Sequence, residues 1–296
     1  VTSFSPKLLR FTFVLSNNAM FEGTNSNRLT VEGLRATANV RCAGAPAFPE
    51  VTCQIFGMKQ DDMNALTSPA FDLFGTTRNV LQVEANSGSG WATIFAGQIT
   101  EALPDYADMP NVSLRVRAQV LQYELIDPVP VTNYTGPTDV ATIVQTIATK
   151  MQRAFENNGV SAQLDSPYLP NTLADQLRTV CEQAGVQLWA DPASTVIAIS
   201  PKGVPRNVPV WVLSPATGLV GYPVIDSNGY IGVRSIFNPA FRFGGPVRVE
   251  GSDVPRANGD WVVNTLNHML ESNKPGGAWF SEMLLYPRGG LQPVLS

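Results

Sequence analysis

The chain has 296 residues, 44% of them apolar and 15% charged, and carries a formal net charge of −4. This length suits two or three domains with real cores, and mild acidity without a long basic run excludes binding that rests on phosphate neutralisation. So low a charged share leaves little polar surface for a free monomer, and part of the surface is expected to be covered by partners.

The cysteines Cys42, Cys53 and Cys181 are odd in number and lack metal-ligand spacing, which argues against a disulfide framework. Buried free thiols in a reducing cytoplasm are the simpler expectation. No basic-then-apolar leader is visible. No window reaches the ~18 uninterrupted apolar residues of a spanning helix, so no membrane partner is expected.

Residues 1–127 read as β. Strands are predicted over 8–15, 28–34, 36–42 and 51–57, the last with Val51, Cys53 and Ile55 on one face. Lys59 to Leu66 suits a short helix. A hairpin follows, with 79–85 and 91–99 joined by Asn86-Ser87-Gly88-Ser89-Gly90. A further strand over 112–118 turns Val112, Leu114 and Val116 one way and Ser113, Arg115 and Arg117 the other. Evenly spaced strands with turn signals predict a barrel or sandwich.

Pro128, Pro130 and Pro137 mark a linker, and residues 128–203 then change character. Val140, Ile143, Val144, Ile147, Met151 and Phe155 recur at helical spacing. The predicted helix starts at Asp139 and ends at Asn157-Asn158 with Gly159 as its cap. A second helix is predicted from Leu173 to Gln183, with Asn171 or Thr172 as N-cap and Gly185 past its end. A hairpin of 186–190 and 195–199 around Asp191-Pro192-Ala193-Ser194 completes an α+β insert.

Residues 204–296 return to β. The strand Trp211-Val212-Leu213 precedes the glycine- and proline-punctuated run Gly218-Leu219-Val220-Gly221-Tyr222-Pro223. Strand-like stretches follow at 232–237, 247–250, 261–270 and 279–286. The chain is thus mainly β with an α+β insert, divided as 1–127, 128–203 and 204–296.

Signals of chemistry are sparse. The one histidine, His268, would have to serve any serine-histidine-acid triad, yet no Gly-x-Ser-x-Gly elbow accompanies it, and a structural role is expected. Asp61-Asp62 suits a helix end. Asp226-Ser227-Asn228-Gly229 lacks the spacing and distal glutamate of a calcium loop and reads as a turn. Gly88-Ser89-Gly90 and Gly244-Gly245 lack the context of phosphate loops. Glu22, Glu84, Glu101, Glu250 and Glu282 have no distinguishing surroundings. No catalytic, cofactor or metal site is therefore expected. Aromatic residues are prominent in the last third, and core packing is their default. Trp211, Phe237, Phe241, Trp261 and Trp279 are the candidates for interface anchoring.

Several features taken in order carry a resemblance. Thr135-Gly136-Pro137 opens onto a helix, and the helix–hairpin unit Leu173 to Ile199 carries a Gln183-Ala184-Gly185 stop. Gly218 to Pro223, Asn238-Pro239, Gly251, Asn258-Gly259-Asp260-Trp261 and Gly277-Ala278-Trp279 punctuate the end of the chain. In this order and punctuation the chain resembles the baseplate hub proteins of contractile-tailed bacteriophages, the tube-to-spike adaptor family. The first 127 residues match that family in β character only.

The resemblance implies two tail-tube-like β-barrel or sandwich domains and a small helix-and-hairpin domain. It implies a structural, non-enzymatic homotrimer with pseudo-sixfold symmetry, which joins the hexameric tail tube to the trimeric central spike and surrounds the DNA channel. The implied partners are the chain itself, the tail tube protein or tube initiator, the central spike protein, the tape measure protein and the baseplate wedge proteins. No cofactor and no sequence-specific nucleic acid contact is implied. The implied location is the virion tail baseplate, assembled in the host cytoplasm. The sequence ends at Ser296 shortly after its last predicted strand, so the spike is expected as a separate chain. The competing readings are a tail-associated cell-wall hydrolase and a stand-alone β-rich binding module.

Overall fold

The computed structural model describes residues 6–44, 47–68 and 78–289. The first block contains β1 (Leu8–Val14), β2 (Arg28–Glu32), β3 (Ala36–Cys42), β4 (Glu50–Phe56), α1 (Gln60–Leu66), β5 (Val80–Asn86), β6 (Trp91–Asp105), β7 (Ser113–Gln119) and α2 (Gln122–Ile126). In the middle lie β8 (Thr132–Asn133), β9 (Pro137–Asp139), α3 (Val140–Lys150), β10 (Ala154–Asn157), β11 (Gln163–Asp165), β12 (Tyr168–Leu169), α4 (Leu173–Ala184), β13 (Gln187–Ala190) and β14 (Val196–Ser200). The last block holds β15 (Trp211–Leu213), β16 (Leu219–Ile225), β17 (Ile231–Ile236), β18 (Pro246–Val249), β19 (Gly259–Ser272) and β20 (Trp279–Pro287). The fold is mainly β, as the sequence pattern predicts.

Thirteen strands form one sheet in the order β16-β17-β20-β19-β3-β4-β7-β6-β5-β1-β2, with β18 beside β19 and β15 beside β18. Its centre is the pairing of β19 with β3, running antiparallel from Leu266 opposite Cys42 to Ser272 opposite Ala36. The seam is closed beyond its last pair. Ser272 Oγ donates to the Leu34 carbonyl at 3.0 Å, and Asn273 Nδ2 donates to the Gly33 carbonyl at 2.8 Å. Alternation decides the faces. Ala36, Ala38, Val40 and Cys42 of β3 are buried, as are Val51, Cys53 and Ile55 of β4 and Leu114, Val116 and Ala118 of β7. The sheet curls, so that β1 packs back against β19, and Trp279 Nε1 at the start of β20 donates to Ser87 Oγ in the β5–β6 turn at 2.8 Å.

The middle segment forms its own layer. Val140, Ile143, Val144, Ile147 and Ala148 make one fully buried face of α3, which packs against α4. Each large aliphatic side chain buried this way contributes about 1.5–3 kcal/mol. Asp139 caps α3 by accepting from Thr142 N at 2.9 Å, and Thr172 caps α4 by accepting from Asp175 N at 3.1 Å. Gly185 ends α4 at φ 65°. Beyond the helices, β10, β14 and β13 form a three-stranded sheet.

The predicted first helix is too long. It stops at Lys150, Gln152 turns the chain at φ 56°, and Ala154–Asn157 becomes β10, which pairs parallel with β14. Phe155 keeps helical phase with Ile147 and Met151 by coincidence. Residue 159 therefore sits in a turn and caps no helix. The predicted linker is also more ordered than its prolines suggest, because β8 pairs with β12 and β9 with β11. The run from Gly218 to Pro223 lies largely within β16, whose register shifts between Val220 and Val224.

One close approach sets the position of the middle layer. Gly244 has φ 75°, and a Cβ there would lie 2.6 Å from the Trp189 indole. Its N–H is already held by the Val263 carbonyl at 3.0 Å, which leaves the backbone nowhere to retreat. Gly276 has φ 68° with open space around it. Gly244→Ala is therefore expected to destabilise the protein by about 3 kcal/mol and Gly276→Ala by about 1 kcal/mol, read as the difference between their denaturant midpoints.

Candidate functional site

Three features of the molecule are candidate sites: the histidine, the most buried charges and the open face of the sheet. His268 lies on β19 past a bulge between Val263 and Thr265. Its Nδ1 is 2.8 Å from Ser281 Oγ on β20, and the Phe237 ring meets it edge-on at 5.1 Å. Both members of the pair are buried. Burial, with a smaller push from the Arg242 charge, lowers the imidazole to about 3. It is therefore neutral at pH 7 and acts as a hydrogen-bonded core group. Among the described residues no carboxylate is bonded to it, and Ser281 has no path to a substrate.

The acidic residues that the sequence left open lie apart. Glu84 faces Arg10 at 3.5 Å, Glu101 faces Arg117 at 3.6 Å and Glu282 faces Arg234 at 3.7 Å, while Glu22 and Glu250 are exposed. Asp61 and Asp62 occupy the first turn of α1. Asp226 Oδ1 accepts from Asn228 N at 2.8 Å and Tyr230 N at 2.9 Å, an Asx turn as expected. Among the described residues no group of three His, Cys, Asp or Glu is placed to hold a metal ion. Cys42, Cys53 and Cys181 are buried free thiols, and burial pushes all three upward.

The densest polar cluster was not legible in the sequence. Arg206, between β14 and β15, is 4% exposed. Its Nη1 donates to Asp191 Oδ2 at 2.7 Å and to the Phe243 carbonyl at 3.2 Å. Its Nε and Nη2 donate to the two Glu156 oxygens at 3.3 and 3.0 Å. Burial alone would lower the guanidinium, but Glu156 and Asp191 outweigh it and hold Arg206 above its ordinary value. Burial alone would likewise raise Glu156, and Arg206 holds it below the usual carboxylate range. The cluster joins the middle layer to the last block.

The third place is a surface. Eight strands, from β6 through β7, β4, β3, β19, β20 and β17 to β16, share one open face. One row across it runs Glu101, Arg117, Thr52, Asn39, Met269, Phe280 and Ile236 in continuous register. The β3–β4–β7 part is polar, with Arg115 paired to Asp105 and Arg117 to Glu101. Toward β16 the face turns apolar, with Tyr222, Val224 and Ile236 at 71, 69 and 56% exposed.

The aromatic residues singled out from the sequence are mostly occupied elsewhere. Phe237, Phe241, Trp261 and Trp279 are buried in the chain's own core. Phe237 stacks edge-on with Trp279 at 5.6 Å, and Trp261 Nε1 donates to the Ala257 carbonyl at 2.9 Å. Trp211 is partly exposed on β15, edge-on to Phe241 at 6.3 Å. The exposed apolar residues of β16 and β17 were missed because glycines and a proline disguise the strand.

The sequence profile of the family described as Baseplate hub gp41 matches residues 8–276. No curated protein sequence matches the chain. The 43 kDa tail protein of prophage MuSo2 from Shewanella oneidensis superposes with a TM-score of 0.62 at 8% identity, covering 94% of this chain and 97% of that one. The tail protein from Neisseria meningitidis MC58 gives 0.61 at 10% identity, with the same 94% and 97% coverage. A chain of the lidded Francisella PdpA-VgrG complex gives 0.55 at 9% identity, covering all of this chain (100%) and 55% of that one. At these identities the likeness is one of fold.

Two stability measurements follow from the buried groups. A histidine depressed in the folded state binds fewer protons folded than unfolded, so stability falls as pH drops below the unfolded value of about 6.5. Between pH 7 and pH 5 this loss is on the order of 2 kcal/mol, and His268→Gln is expected to flatten that part of the pH profile. Arg206→Met, which strands two carboxylates, is expected to cost about 3–5 kcal/mol by denaturant titration at pH 7. Glu156 adds stability in full above the ordinary carboxylate pKa. The wild type therefore loses that share as pH falls through the depressed Glu156 value, whereas Arg206→Met does not.

Proposed function

The chain belongs to the baseplate hub gp41 family and has a structural role in a phage tail baseplate, and on that premise we propose that it is the adaptor between tail tube and central spike. Three copies form a ring with pseudo-sixfold symmetry around the DNA channel, with the hexameric tube on one side and the trimeric spike on the other. Residues 1–127 and 204–296 act as the two tube-like units of each copy, and residues 128–203 form the insert between them. The tube initiator, tape measure protein and baseplate wedge proteins are further neighbours, and the ring is assembled in the host cytoplasm. Of the aromatic residues, Trp211 is the one with surface left to offer a neighbour.

The observation that carries this reading is the seam between β3 and β19. It sets two β blocks of one chain side by side in one sheet with a common open face, so three chains offer six β blocks to a sixfold partner. Whole chains still obey threefold symmetry, which suits a trimeric partner.

Electron-microscopic imaging of the purified protein with its tube and spike proteins tests the proposal. The expected result is a ring of three chains with a central channel. A chain that stays monomeric and binds neither protein would sink it. In a peptidoglycan turnover assay no product is expected. Release that disappears on replacing one Glu or Asp would favour the hydrolase reading instead.

A further inference from the structure

Among the described residues, two exposed patches on the same sheet lack a cover. One is a groove of about 470 Å³ over β16, β17, β20 and β19, lined among others by Tyr222, Val224, Leu284, Arg234 and Glu282. Tyr222, Val224, Val233, Met283 and Leu284 are its apolar walls, Thr265 and Asn267 are polar, and Arg234 is its one cation, beside the anion Glu282. Arg234 lies over the Phe280 ring at 4.2 Å, meets Glu282 only at 3.7 Å and keeps its side chain 44% exposed. The other patch is the loop joining β6 to β7, where residues 106–111 are exposed without interruption. It displays Met109 at 72% and Tyr106 at 41%, with Leu103 at 37% just below. Asp108 sits between Tyr106 and Met109 as an exposed acid with no ion-pair partner among the described residues.

One patch is a concavity with a loosely held cation, and the other is a projecting apolar loop with an unpaired anion. They lie several strands apart in the sheet order, so within one chain each is available to another molecule. The outer edge of the groove is also blunted against simple strand addition. Pro223 removes a donor from β16, and the register shift twists that strand. What remains adhesive is the face, which calls for a side-chain-bearing knob.

We infer that the β6–β7 loop of one copy seats in the β16–β17 groove of a second copy, with Met109 and Tyr106 against Tyr222 and Val224 and with Asp108 toward Arg234. The contact is head-to-tail, joining two different patches, and repetition of such a contact closes a ring when the rotation per copy allows it. The inference rests on the ring reading above and names the surfaces that would form its subunit contact.

Cysteine cross-linking separates the two claims. Met109→Cys and Val224→Cys replace exposed side chains, and the native thiols are buried. The single variants are oxidised apart and as a mixture, both as the chain alone and within assembled baseplates. The expected result is a disulfide-linked dimer from the mixture only, and a ladder up to trimer from the chain carrying both changes. A ring visible by imaging without these cross-links would overturn the proposed contact and leave the ring reading standing. Absence of any ring would overturn both. Capture of Val224→Cys by the tube or spike protein would assign the groove to that partner and also overturn the contact. A charge exchange provides a second readout. Asp108→Arg and Arg234→Asp are each expected to weaken self-assembly roughly tenfold, and their combination to recover most of that loss. Equal losses that simply add would count against the pairing.

Discussion

A guanidinium sealed away from water must have every donor answered, because breaking one side of a buried ion pair costs far more than the pair contributes. Arg206 finds its acceptors in three separate places: Glu156 on β10, Asp191 after β13 and the carbonyl of Phe243 before β18. The cluster therefore allows only one placement of the middle layer against the last block. Trp189 is bound by the same geometry. Its ring meets Phe243 edge-on at 4.9 Å and covers Gly244, and its Nε1 donates to Ser200 Oγ at 3.0 Å. The next residue along the turn, Pro192, accepts from Ala96 N of β6 at 2.7 Å. A single turn of the insert thus holds the last block through Asp191 and the first block through Pro192.

Between these anchors the β3–β19 seam makes the two β blocks one elastic body. A family that works as a baseplate hub needs stiffness more than reactivity, and the buried polar groups serve that end. His268 and Ser281 satisfy one another inside the sheet. The exposed ion pairs of the open face are worth little individually. Their effect is to leave arginines and carboxylates interspersed, so that the face carries no strong field of either sign.

Much of this was legible in the pattern of residues. Strict alternation located β3 to the residue, the apolar run Trp211-Val212-Leu213 did the same for β15, and the caps at Asp139, Thr172 and Gly185 follow from local hydrogen-bond chemistry that neighbours in sequence can supply. Partnership was not legible, since period two says which residues share a face and nothing about which strand lies alongside. The end of α3 was missed because Phe155 kept helical phase while its backbone was claimed by β14. The helix α2 was missed because Leu121, not a glycine or asparagine, takes the left-handed conformation at its start. Arg206 was invisible because its neighbours Val204, Pro205 and Asn207 read as an ordinary loop. Four of the five aromatic candidates turned out to fill the core, for composition shows that large rings need burial and leaves open which chain buries them.

The seam also bears on how the chain is made. Ser272 and Leu34, bonded at its end, are 238 residues apart. At about 5–20 residues per second, a ribosome needs roughly 10–50 s to supply the partner of β3 after β3 itself has emerged. For that interval one side of the first block is an unpaired strand edge with Ala36, Ala38, Val40 and Cys42 on the face destined for burial. Such an edge invites pairing with another nascent chain. The joint that stiffens the finished protein is therefore its point of greatest exposure during synthesis, when copies of the same chain on neighbouring ribosomes are closest together.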